Sequence, residues 1–311
     1  MLIEGIETVV SLSRETSFGV PVAGPHNAVI GKTSLRYSPV LKTQGEAPRD
    51  FWRNVIAQPF GVRHFTGTLE MELSFTAFFR DFLTSILELK EKTTPGGFGQ
   101  SAYRPRRADA EPETYTLAMN YQGGPAILFH GTVFDSVEIR VTLRQTIRAT
   151  FNFKAAIKAE GVLAPITTVM HRPAGHVNTV VTLGGVAMTK LQECSFRLVD
   201  TKEPTMFGEN KAASKFSYVG GFIMDGDLTE LMHGDSTLYE KVIGREVASL
   251  EIVINEADNT GRFVQLIWPK VAFMEGAPGL SGGDILTRAR FSGLQDTNLD
   301  PDNEPLLTIR A

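Results

Sequence analysis

Residues 136–144 alternate without a break: Val137, Ile139, Val141 and Leu143 fall on one side, and Glu138, Arg140, Thr142 and Arg144 on the other. A side-chain period of two is the geometry of a strand with one face in a core and one in water. A chain built from such segments cannot settle as a helical bundle. Similar stretches occur at 67–73, 115–121, 195–200, 248–255 and 263–268. Turn chemistry separates them, as in Gln122-Gly123-Gly124-Pro125 and Asp258-Asn259-Thr260-Gly261. The sequence predicts a mainly β, mostly antiparallel fold.

Two segments break that rhythm. Phe75, Phe78, Phe79, Phe82, Leu83, Ile86 and Leu87 form a stripe at helical spacing, so a helix is expected over 75–89 with Ser74 as its N-cap. Its polar side carries Thr76, Arg80, Asp81 and Glu88 instead of a lysine band, which favours packing on a sheet over lying on a membrane. A shorter helix is expected over 238–243, with Thr237 and Glu240 at capping-box spacing and Gly244 as the stop.

The two helices sit in a repeat. Phe65-Thr66-Gly67-Thr68-Leu69-Glu70 before the first helix corresponds to Met224-Asp225-Gly226-Asp227-Leu228-Thr229 before the second. Upstream, Leu35-Arg36 matches Phe196-Arg197, and downstream 115–120 matches 250–255 and 148–151 matches 288–291. The offset shrinks after the helix, which requires extra sequence in the first copy; the Pro-, Gly-, Arg- and Lys-rich stretch 91–113 supplies it. The expected organisation is two β-sandwich or β-barrel domains, each with one α-helix, at 1–155 and 176–311, with a linker over 156–175.

The formal charge of −4 over 311 residues is a poor basis for wrapping nucleic acid. One cysteine, Cys194, excludes a disulfide framework and a cysteine-rich metal site. The six histidines lack His-Glu-x-x-His spacing, no phosphate loop occurs, and no cofactor is expected. Asp300-Pro301-Asp302-Asn303-Glu304 lacks the glycine and distal glutamate of a calcium loop. Gly279-Leu280-Ser281-Gly282-Gly283 has the form of a hydrolase nucleophile turn, yet the last histidine, His233, precedes Ser281, and the following residues read as strand. A glycine-rich turn is the better reading, and no enzymatic activity is expected. No apolar run spans a membrane, and the N-terminus shows no basic region or apolar signal core, so synthesis in a cytoplasm is expected.

Arg14-Glu15-Thr16-Ser17-Phe18-Gly19-Val20-Pro21 resembles the start of major tail tube proteins of long-tailed bacteriophages. The order that follows is similar too: a strand at 32–38, a polar loop with Glu46, Pro48 and Arg49, a strand ending at 65–70, then a helix. Residues 14 to 90 carry most of the resemblance. One tube domain needs about half of this chain, so the resemblance implies two fused copies. It further implies a structural virion protein of the viral tail, whose homotrimeric rings have pseudo-six-fold symmetry and stack into a tube for DNA ejection. The implied partners are other copies of the chain, a tape measure protein, tail terminator and baseplate proteins, and double-stranded DNA held without sequence-specific contacts. A duplicated β-sandwich binding module, such as a baseplate hub, adhesin or decoration protein, is the alternative.

Within that reading, Glu70, Glu72, Asp225 and Asp227 are candidates for a channel wall, because they alternate with apolar residues on the two corresponding strands. The loop carrying Glu46, Arg49 and Trp52, and the insertion carrying Arg104, Arg106 and Arg107, are candidates for contacts between subunits or rings.

Overall fold

A computed structural model describes residues 7–22, 26–43, 61–73, 77–93, 100–105, 111–121, 125–162, 166–168, 174–205, 213–232, 236–256, 261–281, 284–294 and 307–310. The first half runs β1 (Glu7–Arg14), β2 (His26–Thr43), β3 (Gly61–Glu72), α1 (Ala77–Ile86), β4 (Leu87–Thr93), β5 (Gln100–Pro105), β6 (Tyr115–Tyr121), β7 (Ala126–Thr142) and β8 (Arg148–Gly161). After β9 (Ile166–Thr168), the second half begins with β10 (Thr179–Leu183), β11 (Val186–Ala187), β12 (Leu191–Val199), β13 (Lys202–Thr205), β14 (Lys215–Tyr218) and β15 (Ile223–Leu231). It continues with α2 (Thr237–Gly244), β16 (Ala248–Asn255), β17 (Phe263–Ser281) and β18 (Asp284–Gly293), and β19 (Leu307–Arg310) ends it. The fold is mainly β, as the alternation predicts.

The strand order of the two halves is the same. In the first, antiparallel ladders link β2, β3, β8, β7, β6 and β1 in that order. In the second they link β12, β15, β18, β17, β16 and β10. A β1–β2 ladder closes the first ring of strands, and β10 turns back through β11 towards β12 in the second. Irregularities recur at matching places: between Tyr115 and Leu117 as between Ala248 and Leu250, and between Phe134 and Ser136 as between Phe273 and Glu275. These bulges place Leu117 against Leu250 and Phe153 against Phe291, each two residues from the sequence match. A shift of two escapes notice in the sequence because side chains alternate with period two, so the inward and outward pattern matches equally well in either register.

Gly67 and Gly226 explain each other. Gly67 faces Phe153 across β8, and Gly226 faces Phe291 across β18. A Cβ on Gly67 would lie 2.4 Å from the Phe153 ring, and one on Gly226 2.5 Å from the Phe291 ring. In both halves an aromatic ring therefore lies over a strand glycine. Around these rings the cores differ: Phe82 stacks on Phe151 at 4.2 Å in the first half, while Trp268 stands edge-on between Phe196 and Phe291 in the second. One buried cluster runs through both.

Local departures have local causes. The helix α1 stops at Ile86, since Leu87 already pairs with Pro105 in the β4–β5 hairpin; Ser74 and Phe75 lie outside the described residues. The helix α2 is capped by Ser236 rather than Thr237: Ser236 Oγ accepts from Tyr239 N–H, and the left-handed C-cap is Arg245 rather than Gly244. Stretch 91–113, expected without regular structure, contains β5, which pairs with β4 and β19 and buries Tyr103. The span 156–175 is not a plain connector either. It holds the end of β8, the strand β9 and the fully buried Ala174, which exchanges backbone bonds with Ile147 and Leu73.

Candidate channel face and the junction between halves

Directly opposed residues of antiparallel strands share a face. One row runs Glu72, Arg148, Arg140, Ser195, Asp227, Arg290, Glu275 across β3, β8, β7, β12, β15, β18 and β17. The next row runs Glu70, Thr150, Glu138, Arg197, Asp225, Ser292. The four carboxylates singled out in the sequence thus lie on one face of one continuous sheet.

They do not make that face acidic, because arginines alternate with them. Arg148 Nη1 lies 2.6 Å from Glu70, and Arg140 pairs with Glu193. Arg197 grips Asp225 with two nitrogens, Arg290 approaches the same carboxylate at 3.7 Å, and Arg288 lies 3.8 Å from Asp227. Its hydrogen bond to Asp225 pushes the Arg197 guanidinium above its ordinary value. Reading β3 and β15 alone missed these cations, which come from β7, β8, β12 and β18. The face is ion-paired, and a cavity of about 1360 Å³ lies against its second-half portion, lined by Arg197, Asp225, Asp227, Arg288 and Arg290.

The halves meet along a strand ladder. Residues 136–142 of β7 pair with 193–199 of β12, Ile139 opposite Phe196. The hairpin β13–β14 reinforces this junction from the second half. Lys202, fully buried, donates from Nζ to the Phe134 carbonyl at 2.7 Å and to Asp200 at 3.1 Å, and its backbone N–H donates to the Asp135 carboxylate. Burial raises the Asp135 carboxyl above its ordinary range, while Lys154 and Lys202 beside it pull the other way. Ala213 N–H bonds to the Arg63 carbonyl, and Phe216 packs 6.0 Å from Phe18. Nothing local in the sequence marks Lys202, because its role depends on strands some 70 residues upstream.

The N-terminal motif acquires a structural role here. Glu15, 7% exposed, accepts from Gly19 N–H, Gly131 N–H and Thr116 Oγ1 at 2.9–3.0 Å. It thereby pins the turn after β1 to β6 and β7, and Phe18 of the same motif lies over Gly131.

Other candidates separate. Arg104 on β5 is held by Glu88 of β4 at 3.2 Å. Glu46, Arg49, Trp52, Arg106 and Arg107 lie outside the described residues. Ser281 ends β17 opposite Asp284, the first residue of β18, so a strand and not a helix follows the glycine-rich motif.

A family model for phage tail tube proteins matches residues 5–294. The chain belongs to that family. Comparison with individual curated proteins gave no match. Membership in the tail tube family makes the chain a structural component of a phage tail, in a family that is not one of enzymes. Among the described residues no helix is long and apolar enough to cross a membrane.

Proposed function

We propose that this tail tube protein carries two copies of one tube unit, roughly 1–155 and 176–311, and forms rings of three chains that stack into a DNA-conducting channel. The observation that carries this reading is the β7–β12 ladder. It joins two units of equal strand order edge to edge, so one chain supplies two neighbouring positions of a six-position ring. Closure by rotation then needs three chains, while stacking repeats head to tail without closing.

The ion-paired face of the sheet β2-β3-β8-β7-β12-β15-β18-β17 is assigned to the lumen, with Glu70, Glu72, Asp225 and Asp227 on the channel wall. A duplex is passed, not held, by a wall whose arginines are engaged by carboxylates, because free cations would add salt-dependent affinity for phosphates. The tape measure protein occupies the same lumen before DNA, and terminator and baseplate proteins cap the stack. The loop with Glu46, Arg49 and Trp52 is assigned to contacts between neighbouring chains. Its counterpart in the second half, between β12 and β15, is the β13–β14 hairpin, which spans the junction between units.

Electron microscopy of assembled protein tests the reading. Tubes with three chains per ring and six similar lobes are expected; rings of six chains, or discrete globular particles, would overturn it.

A further inference from the structure

The β7–β12 ladder inside the chain prescribes a second ladder that the chain cannot make by itself. The matching bulges make 275–281 of β17 the counterpart of 136–142 of β7. Gly226 opposite Phe196, and Gly67 opposite Tyr37, make 34–40 of β2 the counterpart of 193–199 of β12. Among the described residues no strand pairs with 275–281 except β18, or with 34–40 except β3. These two segments are the opposite ends of the eight-strand sheet β2-β3-β8-β7-β12-β15-β18-β17. The difference in burial is large: Val141 is fully buried under β12, while Leu280, in the same place, is 83% exposed.

Both open edges carry a proline that points its missing donor outward. Just beyond the end of the β3–β8 ladder, Leu73 N–H bonds to the carbonyl of Ile147, the residue before β8, so odd residues of β3 face β8 and even ones face β2. On β2 it is then Leu35, Tyr37 and Pro39 whose peptide groups turn to the open edge. Likewise Met232 N–H bonds to the Ile285 carbonyl, so even residues of β18 face β17. Gly276, Pro278 and Leu280 therefore turn their peptide groups to the other open edge. At the internal junction these places hold Leu198 for Pro39 and Ile139 for Pro278, both with a donor.

The geometry points to a seam between copies in which 275–281 of one chain pairs antiparallel with 34–40 of a second copy. Leu280 lies opposite Leu35, Pro278 opposite Tyr37 and Ala277 opposite Ser38, and Pro39 and Pro278 keep this seam weaker than its internal counterpart. The inference rests on the ring reading above and specifies its contact. Register follows from the repeat: Ser195 opposite Arg140 has as its counterpart Arg36 opposite Gly279. Each proline deletes one ladder bond, and a proline with its N side to solvent is how an edge strand avoids premature pairing. Chains therefore stay apart until three seams can close together.

The test uses the full chain. Ala277 and Ser38 form a non-hydrogen-bonded pair, the closer kind, with Cα atoms about 4.5 Å apart, within disulfide reach. Cys194 is buried and does not interfere. Tubes of the Ser38→Cys/Ala277→Cys variant, oxidised and run under denaturing, non-reducing conditions, should give covalent species up to the trimer and none above it. The displaced pair Ser38→Cys/Leu280→Cys should give none. Tubes that form without cross-links overturn the seam and leave the tube reading intact, whereas wild-type protein without threefold rings overturns both. If the cysteine variant does not fold, a side-chain-resolution map of wild-type tubes reads the register directly, and Leu280 away from Leu35 overturns it. Separately, Pro39→Leu/Pro278→Ile should lower the concentration needed for spontaneous assembly by about tenfold. An unchanged threshold overturns the role of the prolines.

Discussion

Arg197 and Asp225 form a two-pronged pair across β12 and β15, with Nε 2.9 Å from one carboxylate oxygen and Nη2 2.5 Å from the other. Their exposures are unequal: the Arg197 side chain is 44% exposed and that of Asp225 12%. Removing the more exposed partner should therefore cost more. Arg197→Ala leaves a largely buried carboxylate with only the distant Arg290, a loss of about 2 kcal/mol. Asp225→Ala leaves guanidinium groups that can turn to water, a loss of about 1 kcal/mol. Urea unfolding of both variants measures the order, and the reverse order would show that Asp225 is hydrated.

Gly67→Ala and Gly226→Ala should both destabilise, by about 1–3 kcal/mol as overpacking does, but the loss at Gly67 should be the more readily rescued. At Gly67 the closest obstacle is the Phe153 ring at 2.4 Å, with the Arg36 carbonyl oxygen next at 2.8 Å, so adding Phe153→Leu should recover part of the loss but not all of it. At Gly226 the new Cβ would lie 2.2 Å from the Ser195 carbonyl oxygen, a backbone atom that no change at Phe291 moves. Thermal unfolding of the single and double variants separates the two cases.

Stability should fall as pH drops below about 6.5, and His130 should account for part of the fall. Burial lowers its pKa below the ordinary 6.5, against a smaller opposing pull from Glu15. Between the folded and unfolded pKa the ring is neutral in the fold and protonated in the unfolded chain. The stabilisation is thus complete above the unfolded value and lost as pH falls through the folded one. Urea midpoints at pH 7.5 and 5.5 should differ less for His130→Gln than for the wild-type chain, and an equal difference would exclude His130 as a source.

Ser236→Ala should cost about 1 kcal/mol, measured by the same unfolding. Ser236 caps α2 and donates to the buried Glu230, whose carboxylate also accepts from Leu238 N–H. Thr237→Ala, at the position the capping-box spacing favours, should cost less. Near-equal losses would mean that the cap is shared.

Which parts were legible follows from the range of the interactions. Alternation at 136–144 identified β7 because the pattern is local. The glycines at 67 and 226 tied the halves together because an identical packing problem recurs in both. The bulges at Phe134 and Phe273 and the cap at Ser236 were not legible, since each depends on a partner strand or a buried Glu230. The same holds for the candidate wall. Glu70 and Asp227 announce themselves by alternation, whereas Arg148 and Arg288, which face them, lie on strands 60 or more residues away.

That arginine content changes what the channel reading predicts. With the ion-paired face on the lumen, the wall is close to neutral rather than repulsive, and passage of DNA depends on its cations staying engaged. Glu70→Lys with Asp227→Lys adds two ammonium groups and also leaves Arg148 and Arg288 without these carboxylate partners. Both pairs are half-exposed and individually worth about 0–1 kcal/mol, so tubes should still assemble. DNA ejection should slow, most at low ionic strength, and recover as salt rises, because phosphate contacts weaken steeply with salt and the Debye length shortens to about 3 Å at 1 M. Glu70→Gln with Asp227→Asn, which frees the arginines without adding charge, should slow ejection less. Ejection kinetics across a salt series decide the matter. Rates equal to wild type at the lowest salt would remove these carboxylates from the lumen and turn the face outward.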